Sequence, residues 1–362
     1  MGNHNFVQQK GLFGFSATRC LRNEYFHNDC RTCIEVCPKE AIALVRNKLT
    51  LLKDQCIECA GCIGSCPTEA YEIESFDPNE FSLLYSTHEN TSLSCKVSTP
   101  CLGVFDAEHL LVMALRGEKA VVCDMSHCAT CVLNESGTME KTIRSHIDHA
   151  NTFLTQIGVD KTISTLEEQA IHAPRRALFR KGLEKAKEVL TDPQPLPQKS
   201  MTATHHALPS MTMPLKRILL RNTLKEVVTT LPLTTLSDSN GLFFNKAIDF
   251  QTCTNCGDCT QFCPTDALFA SSDNQGIFFN QGKCIGCGIC EAICKPHAIS
   301  AKEGFDLVSI AYERSEQLVH YDMVMCHECR CPYPYKGGEP ICDRCADYKK
   351  QFSTMFTMAK DF

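Results

Sequence analysis

There is no tryptophan in these 362 residues, and no apolar run approaches the length of about 18 residues that a membrane-spanning helix needs. Membrane insertion is therefore not expected. The opening residues Met1-Gly2-Asn3-His4-Asn5-Phe6 offer neither a charged-then-apolar leader nor a myristoylation pattern, so a cytoplasmic location is expected. An excess of positive charge is also lacking: 36 Lys and Arg face 42 Asp and Glu, for a formal net charge of −6. Nucleic acid is accordingly not an expected partner. No Gly-x-Gly-x-x-Gly follows a strand, and there is no Gly-x4-Gly-Lys-[Ser/Thr] and no His-Glu-x2-His. No organic redox group, nucleotide or substrate pocket can be assigned.

What the chain has instead is sulfur, with 26 cysteines in four tight groups. Cysteines destined for metal must stay reduced until the metal arrives, which again suits a reducing compartment. The sharpest group is Cys253-x2-Cys256-x2-Cys259-x3-Cys263-Pro264, followed by Cys284-x2-Cys287-x2-Cys290-x3-Cys294. Three thiols spaced by two residues lie on one curled loop and can hold three corners of a [4Fe–4S] cube, while the fourth corner needs a ligand from elsewhere. The pattern resembles the two-cluster bacterial ferredoxin. That resemblance implies crossed ligation, with Cys253, Cys256, Cys259 and Cys294 on one cluster and Cys284, Cys287, Cys290 and Cys263 on the other. The proline that ordinarily follows the last cysteine is displaced by one, in Cys294-Lys295-Pro296. A zinc site or disulfides are the plain alternatives.

The N-terminal group repeats the plan with a flaw. Cys56-x2-Cys59-x2-Cys62-x3-Cys66-Pro67 is intact, but upstream the pattern reads Cys30-x2-Cys33-x3-Cys37-Pro38, with His27 where the first cysteine should stand and Cys20 ten residues before Cys30. Either Cys20 reaches in from a longer loop, or His27 is a ligand. Thiolate is the commoner cubane ligand and lengthening a loop costs little entropy, so Cys20 is favoured. The resemblance then implies one cluster on Cys20, Cys30, Cys33 and Cys66, and another on Cys56, Cys59, Cys62 and Cys37.

Ten cysteines remain, in two groups of five. Cys95, Cys101, Cys123, Cys128 and Cys131 lie in a stretch of different rhythm: a strand over 81–86, a helix capped by Asp106 that runs to Arg116 and stops at Gly117, and a buried strand over 120–122 ending at Cys123. In such an α/β unit the carboxyl end of the strand faces the ligand crevice. The stretch over about 80–160 is similar to the iron–sulfur delta subunit of methyl-viologen-reducing hydrogenase. That similarity implies a [2Fe–2S] cluster and docking on a heterodisulfide reductase. Four ligands suffice for such a cluster, so one of the five is spare; a redox-active disulfide or structural zinc are the other readings, and His127 could join the site. The last group, Cys326-x2-Cys329-x-Cys331 and Cys342-x2-Cys345, reads as facing knuckles of a zinc-ribbon or rubredoxin kind. Cys326, Cys329, Cys342 and Cys345 are the natural four, holding zinc or iron, with Cys331 spare.

The expected fold is an α+β multidomain chain in which two 2[4Fe–4S] ferredoxin-like modules flank a small α/β domain, with a C-terminal CxxC knuckle. The divisions fall at 1–78, 79–190, a flexible linker at 191–214, 215–305 and a tail at 306–362. Helices are expected over 139–157, 174–190 and from 215 onward; the second carries the basic residues Arg175, Arg176, Arg180, Lys181, Lys185 and Lys187, and the linker carries His205 and His206. Several one-electron centres with no two-electron terminus describe wiring. The expected function is electron relay between redox partner proteins, and the whole arrangement also resembles bacterial multi-cluster ferredoxins found with molybdenum-dependent formate dehydrogenases. Two rivals stand beside it: a thiol–disulfide reductase using the middle cysteines, and an oxygen-sensing or cluster-delivery protein.

Overall fold

The computed structural model describes residues 13–87, 92–167, 213–237 and 241–352. The helix expected over 174–190, its basic face, and the 191–214 linker as far as residue 212, with His205 and His206, lie outside the described residues. In the N-terminal half, strand β1 (Phe13–Phe15) is followed by helices α1 (Leu21–Glu24) and α2 (Thr32–Val36), the hairpin β2 (Ile42–Val45) and β3 (Lys48–Leu51), helix α3 (Gly61–Ser65) and strand β4 (Tyr71–Ile73). Strand β4 closes antiparallel on β1, with Phe15 opposite Tyr71. Arg46 and Asn47 between β2 and β3 are both left-handed, φ 50° and 62°, which gives the tight turn whose twist matches its strands.

The middle of the chain opens with helix α4 (Pro78–Leu84), in place of the strand expected over 81–86. The start signal decides it: the Asp77 carboxylate accepts from the N–H groups of Asn79 and Glu80, and Pro78 occupies the first helical turn. A parallel three-stranded sheet follows, β5 (Ser92–Leu93), β6 (Val122–Asp124) and β7 (Ser164–Leu166) in that spatial order, with α5 (Ala107–Arg116) and α6 (Thr138–Gln156) as its crossovers. Asp106 caps α5 reciprocally with His109, each side chain bonding the other's backbone N–H. Along α6, Met139, Ile143, Ile147, Ala150 and Leu154 are buried, the three-and-four spacing of an amphipathic helix.

Helix α7 (Leu215–Val227) packs on α4 and α5 of the middle domain and reaches Cys66 of the N-terminal module and Glu313 of the C-terminal half. Its buried face carries Lys216, Arg217 and Arg221 as well as Leu220 and Leu224. The C-terminal half then runs β8 (Thr235–Leu236), β9 (Lys246–Ile248), α8 (Asp258–Gln261), the hairpin β10 (Leu268–Ala270) and β11 (Gly276–Phe279), α9 (Ile289–Ile293), β12 (Ile299–Ala301), β13 (Phe305–Asp306) and α10 (Leu307–Ala311). Strand β9 pairs antiparallel with β12, and β8 with β13. The plan strand, helix, hairpin, helix, strand therefore recurs: β1-α2-β2-β3-α3-β4 in one half and β9-α8-β10-β11-α9-β12 in the other. Strand β14 (Glu316–His320), in the stretch read as tail, joins β11 as a third strand. Strands β15 (Asp322–Met325) and β16 (Pro332–Tyr335) form a hairpin, and α11 (Asp343–Phe352) closes the described chain.

One hydrophobic core runs from the N-terminal half through the middle sheet to α7 and α10, and a second fills the C-terminal half. Where α3 meets the 3-10 turn Leu102–Val104, a Cβ on Gly64 would stand 2.4 Å from the carbonyl oxygen of Gly103. Gly64→Ala is therefore expected to push backbones apart and lower stability by about 1–3 kcal/mol. Denaturant unfolding of the cluster-loaded protein checks this, and an unchanged midpoint would show that the two segments yield freely.

Candidate metal centres

Each intact cysteine triad is a coil that ends in a short helix holding the third thiol: Cys62 in α3, Cys259 in α8, Cys290 in α9. The second and fourth residues after the leading cysteine are left-handed in all three loops: Glu58 and Ala60, Asn255 and Gly257, Gly286 and Gly288. Reversing the hand at alternate residues turns successive N–H groups toward one centre, a backbone concavity suited to an anionic group and common at iron–sulfur sites.

The four cysteines that close each half-motif, Cys37, Cys66, Cys263 and Cys294, share another device. The residue three positions on is left-handed each time: Glu40, Glu69, Asp266 and His297, with φ between 50° and 55°. That turn aims a backbone N–H at the sulfur, from Ala41 to Cys37 at 3.2 Å, Ala70 to Cys66 at 3.3 Å, Leu268 to Cys263 at 3.4 Å and Ala298 to Cys294 at 3.3 Å. N–H donors of this kind stabilise a thiolate and tune a cluster it holds.

The sulfurs gather into sets drawn from both ends of each module. Burial, and then the neighbouring sulfurs of Cys66, Cys30 and Cys20, push the Cys33 thiol up to about 12. Burial with Cys37 and Cys56 raises Cys59 to about 11, and these line one cavity with Cys62, Phe13, Ile42 and Leu51. In the other module Cys259 is raised to about 12 by burial and by Cys253, Cys256 and Cys294. Cys287 is raised to about 11 by burial and by Cys263 and Cys284, and burial raises Cys290 to about 12 against the opposing charge of Lys246, with Cys284, Cys287 and Cys263 adding to the rise. Buried thiols that oppose one another's ionisation fit a cationic iron core placed among them. Cys20 is buried beside Cys66 and Cys30. His27 is exposed, its ring edge-on to those of Tyr25 and Phe26 at 5.7 and 5.4 Å.

In the middle domain Cys95, Cys101, Cys128 and Cys131 line one cavity together with His127, Glu140 and apolar side chains from Leu102 to Ile143. Cys123 does not line it. It sits 1 % exposed on β6, near Cys128 and Tyr85. The Sγ of Cys95 is 2.9 Å from Nε2 of His127. Cys101 lies within electrostatic reach of Cys59, so this cavity backs onto the N-terminal module where α3 crosses the Leu102–Val104 turn.

In the tail the Sγ atoms of Cys326, Cys329, Cys342 and Cys345 all lie within 4.8 Å of one another, with Cys329 and Cys342 at 3.7 Å. A tetrahedron of sulfurs on zinc at about 2.3 Å has edges of about 3.8 Å. Against the penalty of burial, N–H donors from Cys342, Cys329 and Glu328 bring the Cys326 thiol down to about 6. Cys331 is exposed outside the four.

One functional feature has no spacing signal in the sequence. Nζ of Lys216, 3 % exposed, donates to the carbonyl of Cys66 at 2.7 Å and to Oδ2 of Asp106 at 2.6 Å. Burial works against its charge, but Asp106, Glu108 and Glu69 hold it protonated, and Asp106 is in turn held well below the usual carboxylate range by Lys216 and His109. Arg217 beside it donates to Glu108 and to the carbonyl of Leu242, both at 2.7 Å.

Among the described residues no helix is long and apolar enough to cross a membrane. Residues 28–71 and 245–295 each match the 4Fe-4S dicluster domain. A ferredoxin of Streptomyces griseus is 28% identical over 92 residues, 25% of this chain and 88% of that protein. The ferredoxin 7Fe of Hydrogenibacillus schlegelii is 36% identical over 50 residues, 14% of this chain and 64% of its own. The archaeal-type glutamate synthase [NADPH] of Thermotoga maritima is 34% identical over 68 residues, 18% of this chain, and the chain spans 13% of the length of that synthase. The chain carries two 4Fe–4S dicluster domains and is similar over those stretches to ferredoxins.

Proposed function

We propose that this protein is a cytoplasmic relay passing single electrons between redox partner proteins, holding four [4Fe–4S] clusters in its two modules. The reading is carried by the fourfold repetition of one device: a left-handed residue that turns a backbone N–H onto the closing cysteine of every half-motif. The ligand sets are Cys20, Cys30, Cys33 and Cys66; Cys37, Cys56, Cys59 and Cys62; Cys253, Cys256, Cys259 and Cys294; and Cys263, Cys284, Cys287 and Cys290. Bound [4Fe–4S] clusters take up and release one electron each. The chain's own part is to bury the thiols, supply N–H donors to them and keep water away. Cys256, exposed, marks a face where a partner's centre can approach. Partners of the formate dehydrogenase, hydrogenase or heterodisulfide reductase type suit such a relay.

For the middle cavity we assign Cys95, Cys101, Cys128 and Cys131 to a [2Fe–2S] cluster, with Cys123 as the spare thiol. The tail tetrahedron of Cys326, Cys329, Cys342 and Cys345 is a structural zinc or iron site. A second reading, thiol–disulfide exchange in the cavity, is favoured by the imidazole of His127 against Cys95. The two separate on one measurement: the cluster reading expects no turnover of a small disulfide by the reduced protein.

Anaerobic iron, sulfide and zinc analysis with EPR of the reduced protein tests the whole assignment. About 16 iron are expected from four cubanes and about two more from the middle site, with a metal equivalent in the tail. Removing Cys59 or Cys287 is expected to lower iron by about one cubane and to slow electron flow between purified partners. Unchanged flow in both variants would overturn the relay.

A further inference from the structure

The spacer that separates Cys20 from Cys30 does more than lengthen a loop. Strand β1 ends at Phe15, five residues before Cys20, and β9 ends at Ile248, five residues before Cys253; the extra residues of the N-terminal module therefore lie between its first and second cysteines. They fold as α1 and the turn after it. The Arg22 side chain, 6 % exposed, fixes them by donating to the carbonyl of Cys30 and to Oδ1 of Asn47, both at 2.7 Å.

The outer side of this insert is a joint with the other module. Leu21 and Ile289 bury one another, 3 % and 1 % exposed, with Tyr25, Phe262 and Cys287 packed around them. The rings of Tyr25 and Phe262 meet at 6.4 Å. At the centre stands Asn28, 7 % exposed. Its Oδ1 accepts from the N–H of Cys30 at 3.0 Å, and its Nδ2 donates to the carbonyl of Cys287 at 3.1 Å. One amide side chain thus bridges a cysteine of one module to a cysteine of the other. Two domains joined only by a tether would not show a buried apolar contact, an aromatic pair and a two-ended amide bridge at the same place.

We infer that the insert between Cys20 and Cys30 couples the two modules, so that the four cysteine sets stand in a single series: the set of Cys256, the set of Cys287, the set of Cys30 and the set of Cys59. The inference rests on the ligand reading proposed above, and it makes the joint at Asn28 the step that crosses between modules. Within each module the crossed cysteines hold neighbouring sets together, as Cys33 stands beside Cys62. The Cys59 end of the series adjoins Cys101 of the middle cavity.

The test removes one outer set at a time from the full-length protein. Cys59→Ala with Cys62→Ala takes away the Cys30 set's only neighbour within its own module; Cys256→Ala with Cys259→Ala does the same for the Cys287 set. Each double variant is expected to lose about four iron. In EPR of the dithionite-reduced protein, the surviving sets at the joint are expected to remain spin-coupled, giving a broadened spectrum with no isolated [4Fe–4S] component in either variant. A loss of about four iron with an isolated signal from the Cys30 or Cys287 set would overturn the series and leave the ligand reading intact. Iron losses that do not follow the assigned sets in either variant would overturn the ligand reading, and the series with it.

Discussion

Lys216→Met is expected to destabilise the protein by about 3–5 kcal/mol, the scale of removing one partner from a buried ion pair. The lysine meets Asp106 and the Cys66 carbonyl in a place that water does not reach, and methionine fills the volume while leaving the carboxylate without its cation. Adding Asp106→Asn should restore much of the loss, because asparagine still caps α5 and carries no charge. Denaturant unfolding of the anaerobically loaded protein is the measurement. The pH dependence has a definite sign. In the native protein the depressed Asp106 carboxyl contributes stability that is present above the ordinary carboxylate pKa and fades as pH falls through the folded value. In the variant the carboxyl loses Lys216 and keeps His109 beside it, and burial raises it relative to the native protein, so protonating it relieves the fold. The deficit should therefore shrink on acidification, and a deficit that grows would show that Asp106 is not the group left stranded.

The second large effect concerns the broken motif. Cys20→Ala is expected to strip one set of its fourth thiol, with loss of between one and four iron and of that cluster's EPR signal. His27→Ala is expected to leave iron and spectrum unchanged, since its ring lies exposed against Tyr25 and Phe26 while Cys20 is buried beside Cys30 and Cys66. The reverse outcome would make the imidazole the ligand.

The cysteine spacings made the two dicluster domains legible, because an eightfold pattern leaves little room for another chemistry. The helix capped by Asp106 was legible for a related reason: a cap followed by an apolar stripe is a local signal, and the reciprocal His109 bond only strengthens it. Residues 81–86 misled because Phe81, Leu83 and Tyr85 alternate as strand residues do. The Asp77-Pro78 start signal, outside the window that shows the alternation, settles the conformation. What spacing could not supply is anything made by distant partners. The withdrawal of Cys123 from the middle cavity depends on β6 lying at the centre of its sheet. The meeting of Lys216 with Asp106 joins residues 110 apart in sequence, and the Asn28–Cys287 bond joins residues 259 apart. The insert after Cys20 reads in sequence as damage to a motif; only the matched distance from strand to first cysteine in the two modules reveals where the extra residues went.

The left-handed turns at Glu40, Glu69, Asp266 and His297 bear on the history of each molecule before it works. None of the four is glycine, so each is held in a conformation unfavourable by about 1 kcal/mol or more, and the buried thiols of Cys33, Cys59, Cys259 and Cys287 in the same sets resist ionisation. Iron offsets both burdens at once. A copy synthesised when iron is scarce has nothing to set against them, and its cysteine loops open more readily than those of its loaded neighbours. Such a copy is less a reserve awaiting metal than a ready substrate for proteases, and the abundance of the protein will follow the supply of iron and sulfide as well as the rate of its synthesis.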